Sequence, residues 1–220
     1  NTLTIKGTIF LNVKNMLNTY RLVCLYKYLL YICCMKKQGV KDRIIDTASE
    51  LFYYAGYNQT GINQIIAEAG VAKASMYQHF RSKEDIAVAY LKKRHTNWIS
   101  NLFDFIAKEK TVRDKIVGCF DYLNEWLTAV EYRGCGFQNI FIDLPKDQQK
   151  IKDQVILHKN ELRTWIHGLL LEDERYTKES AKELGDELLV LMDGAIILSQ
   201  IQHSSWPILS AKSTCIKLIS

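Results

Sequence analysis

The chain has 220 residues, of which 48% are hydrophobic and 24% charged, and its formal net charge is +5. It contains no G-x-S-x-G or H-E-x-x-H sequence and no phosphate-binding loop. We therefore exclude the corresponding hydrolases, metalloproteases and nucleotide-binding enzymes, and we predict no catalytic residues. Only two prolines interrupt the chain, which is typical of long helices, and we predict an all-α fold.

The cysteines and histidines after residue 35 form no metal-binding pattern. Cys119, Cys135 and Cys215 are widely spaced, and the histidines are scattered. We predict no metal and no other cofactor. Thiols without partners are typical of a reducing compartment, so we expect a cytoplasmic protein.

Residues 1–34 differ in composition from the rest, because they contain no Asp or Glu and are rich in Asn, Thr, Leu, Ile, Tyr and Lys. Met35 stands just before the first predicted helix. We interpret 1–34 as a non-native upstream extension or a disordered leader, which leaves 186 residues. The alternative is a signal or membrane anchor over residues 22–34. That stretch is short for a bilayer span and contains Lys27, so we predict no membrane partner.

The first helix is predicted over residues 39–54, with Gly56 just past its end. An apolar stripe with helical spacing marks its buried face: Val40, Ile44, Ile45, Ala48, Leu51 and Phe52.

Residues 60–85 predict a helix, a tight turn and a second helix. Thr60 is placed to cap the first of these helices, whose apolar positions are Ile62, Ile65, Ile66 and Ala69. Gly70 suits the turn, since glycine tolerates positive φ. In the second helix Met76 and Phe80 face the core, and Ser82 caps the helix that follows. This arrangement is a helix-turn-helix, which places its second helix in the major groove of DNA.

Residues 41–84 resemble the DNA-binding domain of the tetracycline-repressor (TetR) family. The matching residues, in order and spacing, are Ile45, Ala48, Leu51 and Phe52; Gly56, Tyr57 and Thr60; Ile66, Ala67, Ala69, Gly70, Val71 and Lys73; and Met76, Tyr77, His79, Phe80, Ser82, Lys83 and Glu84. Two positions depart from the pattern, because Ala72 replaces the usual Ser or Thr cap and Ala74 replaces a common Gly.

The resemblance implies roles for individual side chains. Phosphate contacts are expected from Thr60, Lys73, Tyr77, His79 and Lys83, and contacts to base edges from Ala74, Ser75 and Gln78. Each has an alternative: Tyr77 as an aromatic at the core edge, His79 in a structural hydrogen bond, and Gln78 simply solvated.

Charge separates the two predicted domains. Residues 36–94 carry 10 Lys and Arg against 6 Asp and Glu, whereas residues 95–220 carry 15 against 18. A basic head on a slightly acidic body suits DNA binding by the head. We assign residues 35–83 to the head and 84–220 to the body, with body helices at 83–107, 111–131, 136–143, 147–171, 177–202 and 207–218.

The resemblance implies that the body binds an effector and forms a homodimer through its last two long helices. The residues predicted at the dimer interface are Leu188, Leu191, Gly194, Ala195 and Leu198, although packing within one subunit is the alternative. The residues predicted to line an effector pocket are Trp126, Cys135, Phe137, Phe141, Trp165, His167 and Met192, with a packed core as the alternative.

The sequence therefore favours a non-enzymatic transcriptional repressor. We expect a dimer that binds a palindromic double-stranded DNA operator and is released by an unidentified small-molecule effector. One alternative is a helical adaptor without DNA binding. Another is a redox-sensing regulator acting through Cys135, because a cysteine beside a helix N-terminus can have a lowered pKa.

Overall fold

The computed structural model describes residues 38–220, so the predicted leader and the start at Met35 lie outside the described residues. The chain divides into two compact units, residues 1–43 and 44–220. Of the first unit, only residues 38–43 are described, and they include the start of the first helix.

Every element of the described residues is a helix, which confirms the predicted all-α fold. The helices are α1 (Val40–Tyr54), α2 (Ile62–Glu68), α3 (Lys73–His79), α4 (Lys83–Ile106), α5 (Val112–Ala129), α6 (Gly136–Ile142), α7 (Gln149–Leu170), α8 (Lys178–Gln202) and α9 (Trp206–Leu218). Among the described residues, none of these helices combines the length and apolar composition that crossing a bilayer requires.

Side-chain caps set several helix starts. The Ser82 hydroxyl accepts from the Asp85 amide at 3.1 Å, and the Thr111 hydroxyl accepts from the Asp114 amide at 3.0 Å. Thr177 forms a reciprocal capping box with Ser180 at the start of α8. Because these signals are local, the predicted body helices begin and end within two residues of the observed ones.

The predicted cap at Thr60 is wrong. Gly61 occupies the N-cap position of α2 and makes no side-chain cap. The Thr60 hydroxyl instead donates to the Gly56 carbonyl at 2.8 Å, which closes the loop between α1 and α2.

The body is a bundle built around α8. Helix α8 packs against α7 and α9, α4 packs against α5 and α7, and α9 also packs against α5. Large side chains fill the space between them, including the fully buried Leu91, Phe120, Leu127, Ile151 and Ile166. Helix α4 therefore joins the helix-turn-helix to this bundle through its contacts with α5 and α7.

Candidate DNA-binding surface and internal cavity

Helix α3 is fixed by its inner face. Met76 is 0% exposed and Phe80 is also buried, as are Ile65 and Ala69 on the neighbouring α2. Between the two helices Gly70 has a φ of +60°, a left-handed conformation that favours glycine. The turn and the buried face together determine which side of α3 faces solvent.

The outer face of α3 is polar and basic. Lys73, Ala74, Gln78 and His79 are exposed, Ser75 is half-buried, and Tyr77 is 46% exposed. Nearly half of the Tyr77 surface is open to solvent, so its ring is not enclosed in the core, and a position at the core edge stays open beside the phosphate contact. Arg81, in the loop between α3 and α4, is also exposed. The sequence analysis did not assign Arg81, although a cation directly after the predicted recognition helix was the available signal.

Two residues that were predicted to contact phosphate form hydrogen bonds within the protein. Thr60 is 0% exposed, and its hydroxyl is used by Gly56. The Lys83 ammonium donates to the carbonyls of Tyr57 at 3.0 Å and Thr60 at 3.2 Å, and it lies over the Tyr57 ring. Burial lowers the pKa of Lys83. Thr60 and Lys83 therefore stabilise the loop before α2.

Hydrogen bonds join the helix-turn-helix to the loop between α6 and α7. The Asn58 backbone amide donates to Asp143 Oδ2 at 2.8 Å, and the Asn58 side-chain amide also donates to Asp143. The Tyr57 hydroxyl donates to Gln148 Oε1 at 2.7 Å. Burial raises the pKa of Tyr57 to about 12, so this hydroxyl keeps its proton. These hydrogen bonds tie the loop between α1 and α2 to the loop between α6 and α7.

Hydrogen bonds also join the start of α4 to the start of α7. The Lys150 ammonium donates to Asp85 Oδ1 at 2.7 Å, and the Lys150 amide donates to Glu84 Oε1 at 3.0 Å. The hydrogen bond from Lys150 is the main cause that lowers the pKa of Asp85, and Ser82 adds to it.

The body encloses a small cavity of about 40 Å³ between α4, α5, α6, α7 and α8. Five of the seven residues predicted for the effector pocket line it: Trp126, Cys135, Phe137, Trp165 and Met192. Trp98 and Leu102 of α4 complete much of the apolar wall. Helix α4, which follows α3 along the chain, therefore forms one side of the cavity.

Two predicted pocket residues lie elsewhere. Phe141 is exposed on an outer groove beside Val155 and Ile156, because it is on the far side of the short helix α6. His167 faces α8, where its Nε2 lies 2.8 Å from Asp186 Oδ1. Helix α8 approaches closely there because Gly185 has no side chain to meet the His167 ring. Both positions are corrections to the predicted pocket.

His158 is a cavity residue that sequence reasoning left unassigned. It is 3% exposed and stacks on Phe137, with ring centroids 3.7 Å apart. Its Nδ1 lies 2.8 Å from Nδ1 of His95. Burial, with nearby cations, lowers the pKa of His158 to about 3, so it is neutral at physiological pH. Its place between Val155 and Leu162 on the apolar stripe of α7 was the available signal.

The predicted dimer residues fall on two different faces of α8. Leu188 and Ala195 are buried inside the subunit, so their assignment to an interface is wrong. Leu191 is half-buried, Gly194 is exposed with open space beside it, and Leu198 is exposed. The outward apolar surface of α8 and α9 consists of Val190, Leu198, Ile201, Trp206, Leu209 and Leu218.

Comparison with known proteins identifies the helix-turn-helix region. Residues 44–90 match the model of a family described as bacterial regulatory proteins, tetR family. The biofilm operon icaADBC HTH-type negative transcriptional regulator IcaR of Staphylococcus epidermidis is 26% identical over 133 residues, covering 60% of this chain and 68% of that protein. The HTH-type transcriptional regulator LmrA of Bacillus subtilis is 24% identical over 187 residues, covering 80% and 94%.

A solved structure supports the same fold for most of the chain. SCO4454, a TetR-family transcriptional regulator from Streptomyces coelicolor, superposes with a TM-score of 0.70 at 21% identity, covering 83% of this chain and 87% of that one. All three proteins are regulators of transcription. Residues 44–90, with an exposed polar helix in a helix-turn-helix, therefore form a DNA-binding domain of the TetR family of bacterial regulatory proteins, and the protein is a DNA-binding transcriptional regulator.

Proposed function

We propose that the protein is a homodimeric repressor that binds a palindromic operator and is released by a small molecule. The observation that carries this proposal is that helix α3 has one buried face and one solvent-exposed polar face. Its inner face is anchored by Met76, while Lys73, Tyr77 and Gln78 face outwards without a hydrogen bond to any other described side chain. Lysine and tyrosine bind phosphate oxygens, and glutamine pairs with adenine in the major groove.

Dimerisation follows from the small size of the reading head. Helix α3 has seven residues and reads few base pairs alone. The outward surface of α8 and α9 offers a self-complementary apolar strip, in which Gly194 allows close helix approach. Two heads held about 34 Å apart, or a multiple of that distance, would read two half-sites of one palindrome.

Release by an effector rests on the cavity and on α4. At about 40 Å³ the cavity is far smaller than the 300–1,000 Å³ typical of ligand pockets. A ligand must therefore displace side chains such as Trp98 on α4 when it enters. A state with an enlarged cavity and shifted α4 binds the ligand better, and the spacing of the two heads changes with it.

Selection of bound sequences from random duplex DNA tests the operator claim, because it assumes no target sequence. With the full chain, we expect enriched sites made of two inverted half-sites with a fixed spacing. Enrichment of a single unpaired motif would contradict the dimer, and no enrichment would contradict specific DNA reading by α3.

A redox-sensing regulator is the second candidate, because Cys135 borders the cavity at the start of α6. An electrophile that entered the cavity would reach this thiol, although the side chain is buried from bulk solvent. If Cys135 is the sensor, Cys135→Ser abolishes the loss of DNA affinity caused by an oxidant. An unchanged oxidant response in that variant would dispose of this candidate.

A further inference from the structure

Arg94 on α4 is a cavity residue whose charge has no carboxylate partner among the described residues. It lines the cavity, and it forms none of the ion pairs found in the described part of the chain. Its guanidinium lies 3.8 Å from the centre of the Tyr53 ring on α1. An aromatic face stabilises a cation but leaves the guanidinium N–H groups available to an anion.

The hydroxyl of Tyr90 lies beside Arg94, and its proton has no acceptor among the described residues. Tyr90 is 1% exposed, and Arg94 is the side chain that acts as a hydrogen-bond donor towards its oxygen. A Cβ built on Gly136 would lie 2.6 Å from both Arg94 Nε and Tyr90 Oη, so both atoms converge on the Gly136 end of the cavity. A buried hydroxyl proton left without an acceptor costs free energy, which a bound acceptor would recover.

The other charged groups around the cavity are already neutralised or uncharged. The Lys159 ammonium lies 2.6 Å from Asp193 Oδ1, and both residues line the cavity. His158 is neutral, and the nearby His95 is 3.0 Å from Glu161 Oε2. Among the described lining residues, Arg94 therefore carries the one charge without a counter-charge.

The remainder of the cavity wall is apolar. Its main residues are Trp98, Leu102, Leu123, Trp126, Trp165 and Met192. Such a surface binds hydrocarbon or aromatic rings, and offers little to a strongly polar ligand such as a sugar.

We propose that the effector is an amphipathic acid, with a carboxylate bound by Arg94 and Tyr90 and an apolar ring-containing body among the tryptophans. A carboxylate accepts two N–H groups of a guanidinium in a bidentate pair, which is among the stronger hydrogen-bond arrangements in proteins. This inference rests on the proposed role of the cavity as the effector site.

The same contact couples the acid to the DNA-binding region. Tyr53 belongs to α1, and its hydroxyl donates to the Gly134 carbonyl at 2.8 Å, just before α6. An acid that draws Arg94 into the cavity weakens the stack of Arg94 on Tyr53. The contact between α1 and α4 then changes in the ligand-bound state, which gives the ligand different affinities for the two states.

Three matched probes test the proposal by calorimetry with the full chain: 2-naphthoate, the neutral 2-naphthamide, and 2-naphthylmethylammonium. We expect naphthoate to bind at least roughly tenfold tighter than the amide, because its hydrogen bonds are charge-assisted, and the ammonium to bind most weakly. In Arg94→Gln the preference for the acid should disappear while the affinity for the amide stays the same. Arg94→Lys should keep part of the preference, because it keeps the charge.

Lys92→Gln is the control for removal of a positive charge, because Lys92 is exposed on the same helix and does not line the cavity. It should keep the full preference, and circular dichroism should show unchanged helix content in every variant. Equal binding of acid and amide by the parent protein overturns the proposal. So does an acid preference that persists in Arg94→Gln, or no binding of any probe at millimolar concentration.

DNA affinity measured on the same samples separates this proposal from the proposed function. Tight specific DNA binding without an acid preference would contradict the proposed ligand class and would still agree with the proposed repressor function. An acid preference that depends on Arg94, without specific DNA binding, would support the ligand class and sink the operator claim.

Discussion

In the helix-turn-helix head, α2 and α3 are each seven residues long, whereas α4, α5, α7 and α8 of the body have 18 to 25 residues. Isolated helices shorter than about 12 residues are marginal in water, so α2 and α3 depend on tertiary packing. Ile65, Met76 and Phe80 provide it. The head therefore holds a fixed reading surface on a few buried side chains.

The body uses its packing differently. Its long helices carry side-chain caps and ion pairs, and they close around a cavity that most small domains would fill. Loss of one side chain beside the cavity enlarges an existing space, whereas loss of one beneath α3 removes the support of the reading helix. We therefore expect the two regions to respond differently to the same large-to-small substitution.

Met76→Ala is the change with the largest expected effect. Truncation of a buried methionine costs about 2 to 5 kcal/mol of unfolding free energy, and α3 has no other equal anchor, so specific DNA binding should be lost. Met192→Ala is the matched control at the cavity wall. It should lower the melting temperature but leave DNA affinity within about twofold, since ordinary packing losses do not alter the distant reading surface. Equal loss of DNA binding in both variants would break the comparison.

Ile201→Glu tests the outward strip of α8. Ile201 is 66% exposed in the subunit, so the subunit itself should fold normally. A buried glutamate at a two-fold interface should yield monomers in sedimentation velocity, and DNA affinity should fall by roughly 100-fold or more with the loss of bivalency. Ile156→Glu, at an exposed position on α7, is the control and should remain dimeric. A dimer that survives Ile201→Glu would place the interface elsewhere.

Lys73→Ala tests a single phosphate contact on α3. The log–log slope of DNA affinity against salt should become shallower by about one unit for each recognition helix. Lys110→Ala, an exposed lysine after α4, should leave the slope as it was. The same slope in both variants would mean that Lys73 does not contact phosphate.

The smallest expected effect concerns the contact between Asp85 and Lys150. Because the pKa of Asp85 is lower in the folded protein, its ionised form stabilises the fold above the ordinary Asp pKa of about 3.9, and this stability is lost as the pH falls through the folded-state pKa. Lys150→Ala should destabilise the fold slightly at pH 7 and not at all once Asp85 is protonated. Urea unfolding at both pH values measures the difference. A cost that is independent of pH would rule out the ion pair as its source.

Local signals in the sequence predicted much of the fold. The Ser82 cap acts within three residues, and Gly70 marks the turn by its own conformational freedom. The buried positions of α3 also followed from helical spacing. The all-α fold was therefore predictable from these local signals, and the resemblance of residues 41–84 indicated the TetR family.

Apart from the cap at Thr60, the errors depend on a neighbour distant in the chain. Helix α8 is apolar on most of its sides, so its periodicity did not separate Leu188, which faces the core, from Leu198, which faces solvent. His167 lies outside the predicted pocket because its ring contacts Asp186 on α8. Arg94 gave no signal in the sequence, because its role depends on where α1 and α6 meet α4.

The most direct test of the central claim is fluorescence anisotropy of the full chain with DNA from upstream of its own reading frame, near physiological salt and against a scrambled duplex. Specific binding typically reaches about 10⁻⁸ M or tighter, and non-specific binding lies at roughly 10⁻⁴ to 10⁻⁶ M. We expect the dissociation constant typical of specific binding for the upstream DNA. When Tyr77 and Gln78 are both changed to Ala, we expect the dissociation constant to rise to the non-specific range. Tight binding that survives the double substitution would contradict the assignment of the outer face of α3 as the reading surface.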